Sequence, residues 1–492
     1  MNKWRLLLLS LVLSLGIFIR SIEVINKNPL FGYDQGHDYL AVRKIIVDKK
    51  LTLIGTEVGG GFAGLSGVFQ GPYYYYLLTI PFFVFSGDPY GGVVLMFIIG
   101  VFALLLGFYF TYKEFGYKAG LIMALLMGVA LSAQSRFVWP PHPATPLIIL
   151  VFWLTYKLID NPRKYFFWAT FLAGLIYGFE IAMSVPLILA LFIYVFLILK
   201  IKDLRVYLNG ILGVFLAYSP FFVFEARHGY MATKSIIKMI SGILTHKGTY
   251  NFLRALNSHF WRFYFNFRDT FVLSDTNRFR LLAFLLIVII YYLVREKKSN
   301  EKYFICFLLI LPPVTLITFL PLQVLVYNHF LVHLHLTYVF LFAFFFSKSK
   351  LPLSKLIFGI FLILMLPYIY KEFTSAKKDL SDYGGEAKIR GKIEAIDYIY
   401  NDAQGQDFNV LVFAPPVYDY QYRYFLLWYG QQKYHYLPGD KKEGLFYLWI
   451  EQDPKQPWSY KGWLETVIKT GKVLKEEKLP SGFIIQKRYE KK

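Results

Sequence analysis

A chain of 492 residues that is 56% hydrophobic, 20% aromatic and only 17% charged cannot present a mostly aqueous surface, since a soluble domain carries about 25% charged residues. Its net charge of +21 would suit nucleic acid, but no basic face with base-stacking aromatics lies outside the apolar runs, and cytoplasmic loops of membrane proteins collect Lys and Arg. The one cysteine, Cys306, lies in the apolar run Phe304 to Leu311, which excludes an internal disulfide and a cysteine metal site.

In chain order, run length predicts about eleven membrane helices: Arg5 to Ile22, Tyr90 to Tyr112, Ala119 to Leu131, Thr145 to Tyr156, Phe166 to Phe179, Val185 to Leu199, Val206 to Phe224, Leu281 to Val294, Phe304 to Leu320, Phe330 to Phe346 and Leu356 to Tyr370. The first is read as a retained helix rather than a signal peptide, because bulky Phe18 and Ile19 stand where small residues would mark a cleavage site. With the N-terminus inside, every second connection carries a basic cluster: Lys113 and Lys118; Lys157, Arg163 and Lys164; Lys200, Lys202 and Arg205; Arg295, Lys297, Lys298 and Lys302; Lys348, Lys350 and Lys355. That alternation sets the topology. Tyr39 to Lys50 and Phe252 to Phe267 mix apolar and basic residues as helices lying in the interface do.

The connection Glu225 to Arg280 falls outside yet is strongly basic, with Arg227, Lys234, Lys238, Lys247, Arg254, Arg262, Arg268, Arg278 and Arg280. It reads either as a surface for lipid head groups or as a phosphate-binding surface, because guanidinium forks match phosphate oxygens. The chain closes in a soluble α/β domain on the same outer side, giving a division into 1–374 and 375–492. Its expected elements are helices at Ile393 to Tyr400, Tyr422 to Trp428 and Trp463 to Lys469, and strands at Asn409 to Phe413, Leu445 to Ile450 and Phe483 to Gln486. No internal repeat is visible, which argues against inverted-repeat transporters.

Candidate chemistry concentrates in the first outer connection. Tyr33-Asp34-Gln35-Gly36-His37-Asp38-Tyr39 follows the first span directly, where a carboxylate above the membrane could act as a general base or cation ligand, or merely cap a helix. Further along come Gly59-Gly60-Gly61 and then Gln70-Gly71-Pro72-Tyr73-Tyr74-Tyr75-Tyr76-Leu77-Leu78, read as a loop able to approach a ligand and as an aromatic belt.

An acid after the first span, an amphipathic helix and Gly-Pro-x-Tyr-Tyr-Tyr-Leu-Leu before the second span together resemble the GT-C superfamily of polytopic glycosyltransferases, and within it the protein mannosyltransferase and aminoarabinose transferase group. Ser135-Arg136-Phe137-Val138-Trp139-Pro140 and Pro220-Phe221-Phe222-Val223-Phe224-Glu225-Ala226-Arg227-His228-Gly229 carry the likeness further, over about three quarters of the chain. Two departures stand out. The mannosyltransferases commonly have Asp-Glu where this chain has Asp34-Gln35, with its second acid at Asp38, and Gln70 stands near a position that is often His.

The resemblance implies transfer of a sugar, mannose-like or otherwise, from a polyprenyl phosphate to a protein, lipid or glycan acceptor on the outer face of a cell membrane. Asp34 is then the base and Asp38 its positioning partner, with Arg227, His228, Lys234 and Arg136 as phosphate contacts. Glu225, Gln70, Tyr74 and His329 are further candidates. No metal ligand set is read, although two acids four apart could hold a divalent cation. The rival readings are a lipid-linked sugar flippase or transporter, an O-antigen ligase or polymerase type enzyme, and a noncatalytic assembly or receptor protein. The flippase would need ionisable groups deep in the spans, and these are scarce; Glu180 is the nearest.

Overall fold

The computed structural model describes residues 2–61, 65–244, 251–271, 277–294, 299–321, 326–348, 352–381, 387–415, 418–453 and 455–491. Each of the eleven expected spans coincides with helix: Lys3–Asn26, Pro89–Phe115, Tyr117–Val129, Ala144–Leu158, Pro162–Leu175, Ile181–Ile198, Leu204–Ala217 with Ser219–Arg227, Phe279–Val294, Asn300–Phe319, Asn328–Lys348 and Pro352–Ser381. Among the described residues six helices are long and apolar enough to cross a bilayer alone, and a seventh if the bent pair Leu204–Ala217 and Ser219–Arg227 is one span. That pair turns by 61° at Tyr218, where Pro220 starts the second segment. Tyr117–Val129 and Ala144–Leu158 are apolar but shorter. This is a multi-pass membrane protein.

Local sequence sets where the helices start. Asp88 accepts from Tyr90 N (2.8 Å), Asn161 from Lys164 N (3.1 Å), and each is followed by a proline at the first helical position. Small residues set the helix spacing: a Cβ on Gly16 would stand 2.8 Å from Gly128 Cα, so only glycine allows that crossing. Beside it Arg20 is buried and donates to the carbonyls of Met127 (2.6 Å) and Gly128 (2.9 Å), capping the end of Tyr117–Val129. Val332–Lys348 is buried from Val332 to Phe345 and forms the axis of the bundle. Within it His333 Nε2 meets Thr315 (2.9 Å), and His335 meets Asn266 (2.8 Å) and Thr270.

At one end of the bundle the expected basic connections meet acids: Lys157 with Glu114 (2.8 Å), Arg163 with Asp203 (2.6 Å) and Lys348 with Glu301 (2.9 Å). Arg295, Lys297, Lys298 and Lys350, and Lys247 of the Glu225 to Arg280 connection, lie outside the described residues. The opposite end carries helices Tyr33–Ile46 and Tyr73–Val84, the loop between them, and the C-terminal domain.

That domain holds a four-stranded sheet, β1 (Asn409–Phe413), β2 (Gly444–Ile450), β3 (Lys472–Lys478) and β4 (Ile484–Glu490), in the order β1-β2-β4-β3. The β1–β2 pair is parallel and the others antiparallel. Strand β3 was not among the expected elements; its Lys-Val-Leu-Lys-Glu-Glu-Lys is an exposed edge whose charges hide the pattern. Helix Pro352–Ser381 runs past residue 375 before the domain begins to pack. The domain is fastened to the first outer connection by Phe31 N to Ala387 O (2.9 Å), Ile389 N to Pro29 O (3.2 Å) and Arg390 N to Asn28 Oδ1 (2.9 Å). Trp428 Nε1 to Ser86 O (3.2 Å) and the Tyr424 hydroxyl to Gly87 O add a second anchor. Gly36 lets the two parts touch: a Cβ there would meet Gln421 N at 2.3 Å.

Candidate active site

Asp34 and Asp38 sit on helix Tyr33–Ile46, not ahead of it. The helix begins six residues earlier than the expected Tyr39 because Gly32 is its N-cap and Gln35 Oε1 accepts from Gly32 N at 2.9 Å. Asp34 is therefore no cap; it lies in the first turn, where the helix dipole favours the ionised carboxylate. At four residues apart, the two acids share one helix face.

Their surroundings differ. Asp38 is buried, and His37 Nδ1 (3.5 Å) and Thr56 Oγ1 (3.4 Å) reach its Oδ1. Thr56 in turn meets the Tyr75 hydroxyl at 3.0 Å. Burial pushes the Asp38 carboxyl above its ordinary value, against the lowering pull of His37 and Thr56. Asp34 is open to solvent on one side and has no hydrogen-bond partner among the described residues; desolvation by its surroundings raises its carboxyl, with His37 opposing.

The loop after the helix closes the site. Gln70 N donates to Thr56 O (2.9 Å), and Gln70 Nε2 to Glu180 Oε2 (3.3 Å). Glu180, in the turn between two membrane helices, is buried, and that burial pushes it up to about 7. Gln70 Oε1 and the Tyr74 hydroxyl are buried without a partner among the described residues. Tyr74 lies within electrostatic reach of both Asp38 and Asp34. His37, Thr56, Tyr75 and Glu180 are thus the members that sequence reasoning passed over. His37 and Tyr75 lay in the motifs, Glu180 stood out only as an ionisable group near a span, and Thr56 carried no local signal.

The basic turn after Phe224 packs on the same loop. Phe224 meets Phe69 at 5.5 Å, His228 stacks on Phe224 at 4.1 Å, and Ser235 Oγ donates to Ser66 O at 2.5 Å. Arg227, His228 and Lys234 are all exposed there. Glu225 is not available as a base: Oε1 accepts from Ala232 N (2.9 Å), and Oε2 from Thr233 N (2.8 Å) and Oγ1 (2.6 Å), so it caps helix Met231–Leu244. Arg136 is likewise committed, buried against Glu23 at 2.9 Å. His329 lies apart, its ring 4.6 Å from Trp139 and 4.4 Å from Phe330. Among the described residues no three His, Cys, Asp or Glu side chains converge as a metal set; Asp34 and Asp38 are the pair that could face a cation.

A separate opening of about 580 Å³ lies beside the last helix, lined by Leu131, Gln134, Arg268, Asp269, Asn328 and Lys371 among others. Its lining mixes apolar and charged groups.

Solved structures share this fold. The aminoarabinose transferase ArnT from Cupriavidus metallidurans, bound to undecaprenyl phosphate, superposes with a TM-score of 0.60 over 99% of this chain and 98% of that one, at 10% identity. This chain has the GT-C fold. The apo oligosaccharyltransferase of Archaeoglobus fulgidus is similar with a TM-score of 0.50 and 15% identity, over 86% of this chain and 64% of that longer one. No family model matches the sequence, and no curated protein does. At these identities the GT-C likeness speaks for the fold alone, which is the fold the motifs of the first outer connection implied.

Proposed function

We propose that the protein is a membrane glycosyltransferase that moves a sugar from a polyprenyl phosphate to a protein, lipid or glycan acceptor on the outer face of the membrane. The observation that carries this reading is a pair of carboxylates, one buried and one open, at the bundle end opposite the basic connections, joined through a single loop to an exposed basic turn. The bundle belongs to the fold of an enzyme solved with undecaprenyl phosphate. The basic clusters at the far end favour a cytoplasmic position for that end, which puts Asp34 and the C-terminal domain outside. We divide the chain accordingly into a transferase domain, 1–374, and an extracytoplasmic domain, 375–492.

In this reading the donor's prenyl tail stays in lipid and its phosphate meets Arg227, His228 and Lys234 at the interface. The acceptor O–H or N–H gives its proton to Asp34 as the new bond to the anomeric carbon forms. The bond from that carbon to the phosphate oxygen breaks, and the electron pair leaves with the phosphate, whose charge the basic turn stabilises. Asp38, held by Thr56 and His37, positions the helix face on which Asp34 stands. Unpaired Gln70 Oε1 and Tyr74 hydroxyl are groups that a bound substrate would satisfy. Arg136 and Glu225 stand outside this set because Arg136 is buried against Glu23 and Glu225 holds the start of helix Met231–Leu244.

The testing experiment is transfer of radiolabelled sugar from synthetic polyprenyl phosphates by the purified protein in nanodiscs. Transfer that survives chelation removes the cation from the mechanism, and loss on chelation makes the reaction cation-dependent. Movement of the intact lipid-linked sugar across the bilayer without transfer would favour the flippase instead.

A further inference from the structure

The C-terminal domain does more than rest on the bundle beside Asp34. It brings two tyrosines to the helix that carries the acid. Tyr418 and Tyr420 are stacked with an interplanar angle of 10° and centroids 5.5 Å apart. Tyr33, the residue before Asp34, lies 5.4 Å from Tyr418 and 5.3 Å from Tyr420, and the His37 ring is 5.3 Å from Tyr420. Four rings from two parts of the chain therefore gather around one helix turn. They are not sealed in a core: Tyr33 is 39% and Tyr418 52% exposed.

The domain is also fastened away from these rings, by hydrogen bonds at Asn28, Pro29 and Phe31 and at Ser86 and Gly87, while Gly36 packs directly on the backbone of Tyr420 and Gln421. Part of the ring surface of Tyr33 and Tyr418 stays open to solvent beside Asp34, which leaves aromatic surface for a ligand to cover. Membrane interfaces do collect tyrosine, yet lipid does not account for rings clustered around a carboxylate. A pyranose does. One face of a sugar ring is a patch of C–H groups that packs on an aromatic plane, while its rim of hydroxyls needs acceptors, and Asp34 and Asp419 flank the rings.

We propose that Tyr418, Tyr420 and Tyr33 form a stacking platform for a sugar ring at the active site, so that the C-terminal domain takes part in choosing the sugar. This rests on the donor reading above and deepens it. The platform sets which ring is held over Asp34, while the basic turn holds the phosphate. The two contributions are separable.

The test uses the full-length protein in nanodiscs without acceptor, titrated with short-chain polyprenyl phosphates bearing mannose, glucose, galactose or an aminopentose, and with the bare polyprenyl phosphate. Wild type should bind at least one sugar-bearing lipid more tightly than the bare lipid. Tyr418→Ala should weaken that sugar-bearing lipid about 2- to 10-fold, the size of one aromatic contact, and leave the bare lipid unchanged. Tyr418→Trp should restore binding, and an unchanged melting temperature shows that the domain is still docked. Equal losses on both lipids, or no loss on either, overturn the platform. So does a wild-type protein that binds all these lipids alike, which leaves the donor reading standing. Failure of every polyprenyl phosphate to bind overturns the donor reading and the platform with it.

Discussion

Asp34 and Glu225 are both acids at the same end of the bundle, both next to tyrosine- and phenylalanine-rich turns, and the sequence named each as a candidate site residue. The structure separates them by what their oxygens touch. Glu225 accepts three hydrogen bonds from Ala232 and Thr233 and holds a helix end in place. Asp34 sits in a helix's first turn with one side open, raised by desolvation and facing a buried neighbour acid. A carboxylate whose lone pairs are spent on backbone N–H groups is scaffold; one left with spare capacity beside unpaired polar atoms can take a proton.

The sharpest way to break that contrast is Asp34→Asn. Turnover should fall by about 10² to 10⁴, the range for removing a general base, while donor binding persists. Asp38→Asn should cost less, since that acid only positions. Next in size, Arg227→Ala should weaken polyprenyl phosphate binding by about 1.5–3 kcal/mol in an equilibrium titration, as loss of a charged hydrogen bond does. Unchanged affinity would remove Arg227 from the site. Glu225→Ala should destabilise the protein by about 1–3 kcal/mol in a thermal melt, because three donors lose their acceptor, with turnover retained below the melting range. A turnover loss matching that of Asp34→Asn would erase the contrast. The smallest effect is in pH. Asp34 must be ionised to accept a proton, and its carboxyl is raised, so kcat/KM should fall as pH drops through a value above the ordinary aspartate range. The residual rate of Asp34→Asn should lack that acid limb.

The helices were legible because a bilayer demands long apolar runs, and proline and Asp or Asn caps mark their starts, as at Asp88-Pro89 and Asn161-Pro162. The start of Tyr33–Ile46 was not, because its cap is a glycine that a glutamine side chain closes, a signal weaker than the Asp beside it. Asp34, Asp38, Gln70 and Tyr74 could be named since they lie in compact motifs. Thr56 and Glu180 reach the site only through folding of distant segments, and the pairing of Arg136 with Glu23 is a tertiary fact with no periodicity to betray it. The contact between Gly36 and Gln421 likewise joins the first outer connection to the last domain. Gly36→Val should force them apart, since backbone rather than a flexible side chain blocks the new Cβ, at a cost of about 1–3 kcal/mol in stability and with faster proteolysis of the C-terminal domain.

The most direct test of the central claim is an experimental density map of the protein in nanodiscs with a polyprenyl phosphate sugar bound. The account predicts phosphate density against Arg227, His228 and Lys234, with the anomeric carbon turned toward Asp34 and room for one acceptor group between them. Phosphate density in the cavity at Arg268 and Lys371 instead, with Asp34 turned away from the sugar, would contradict it.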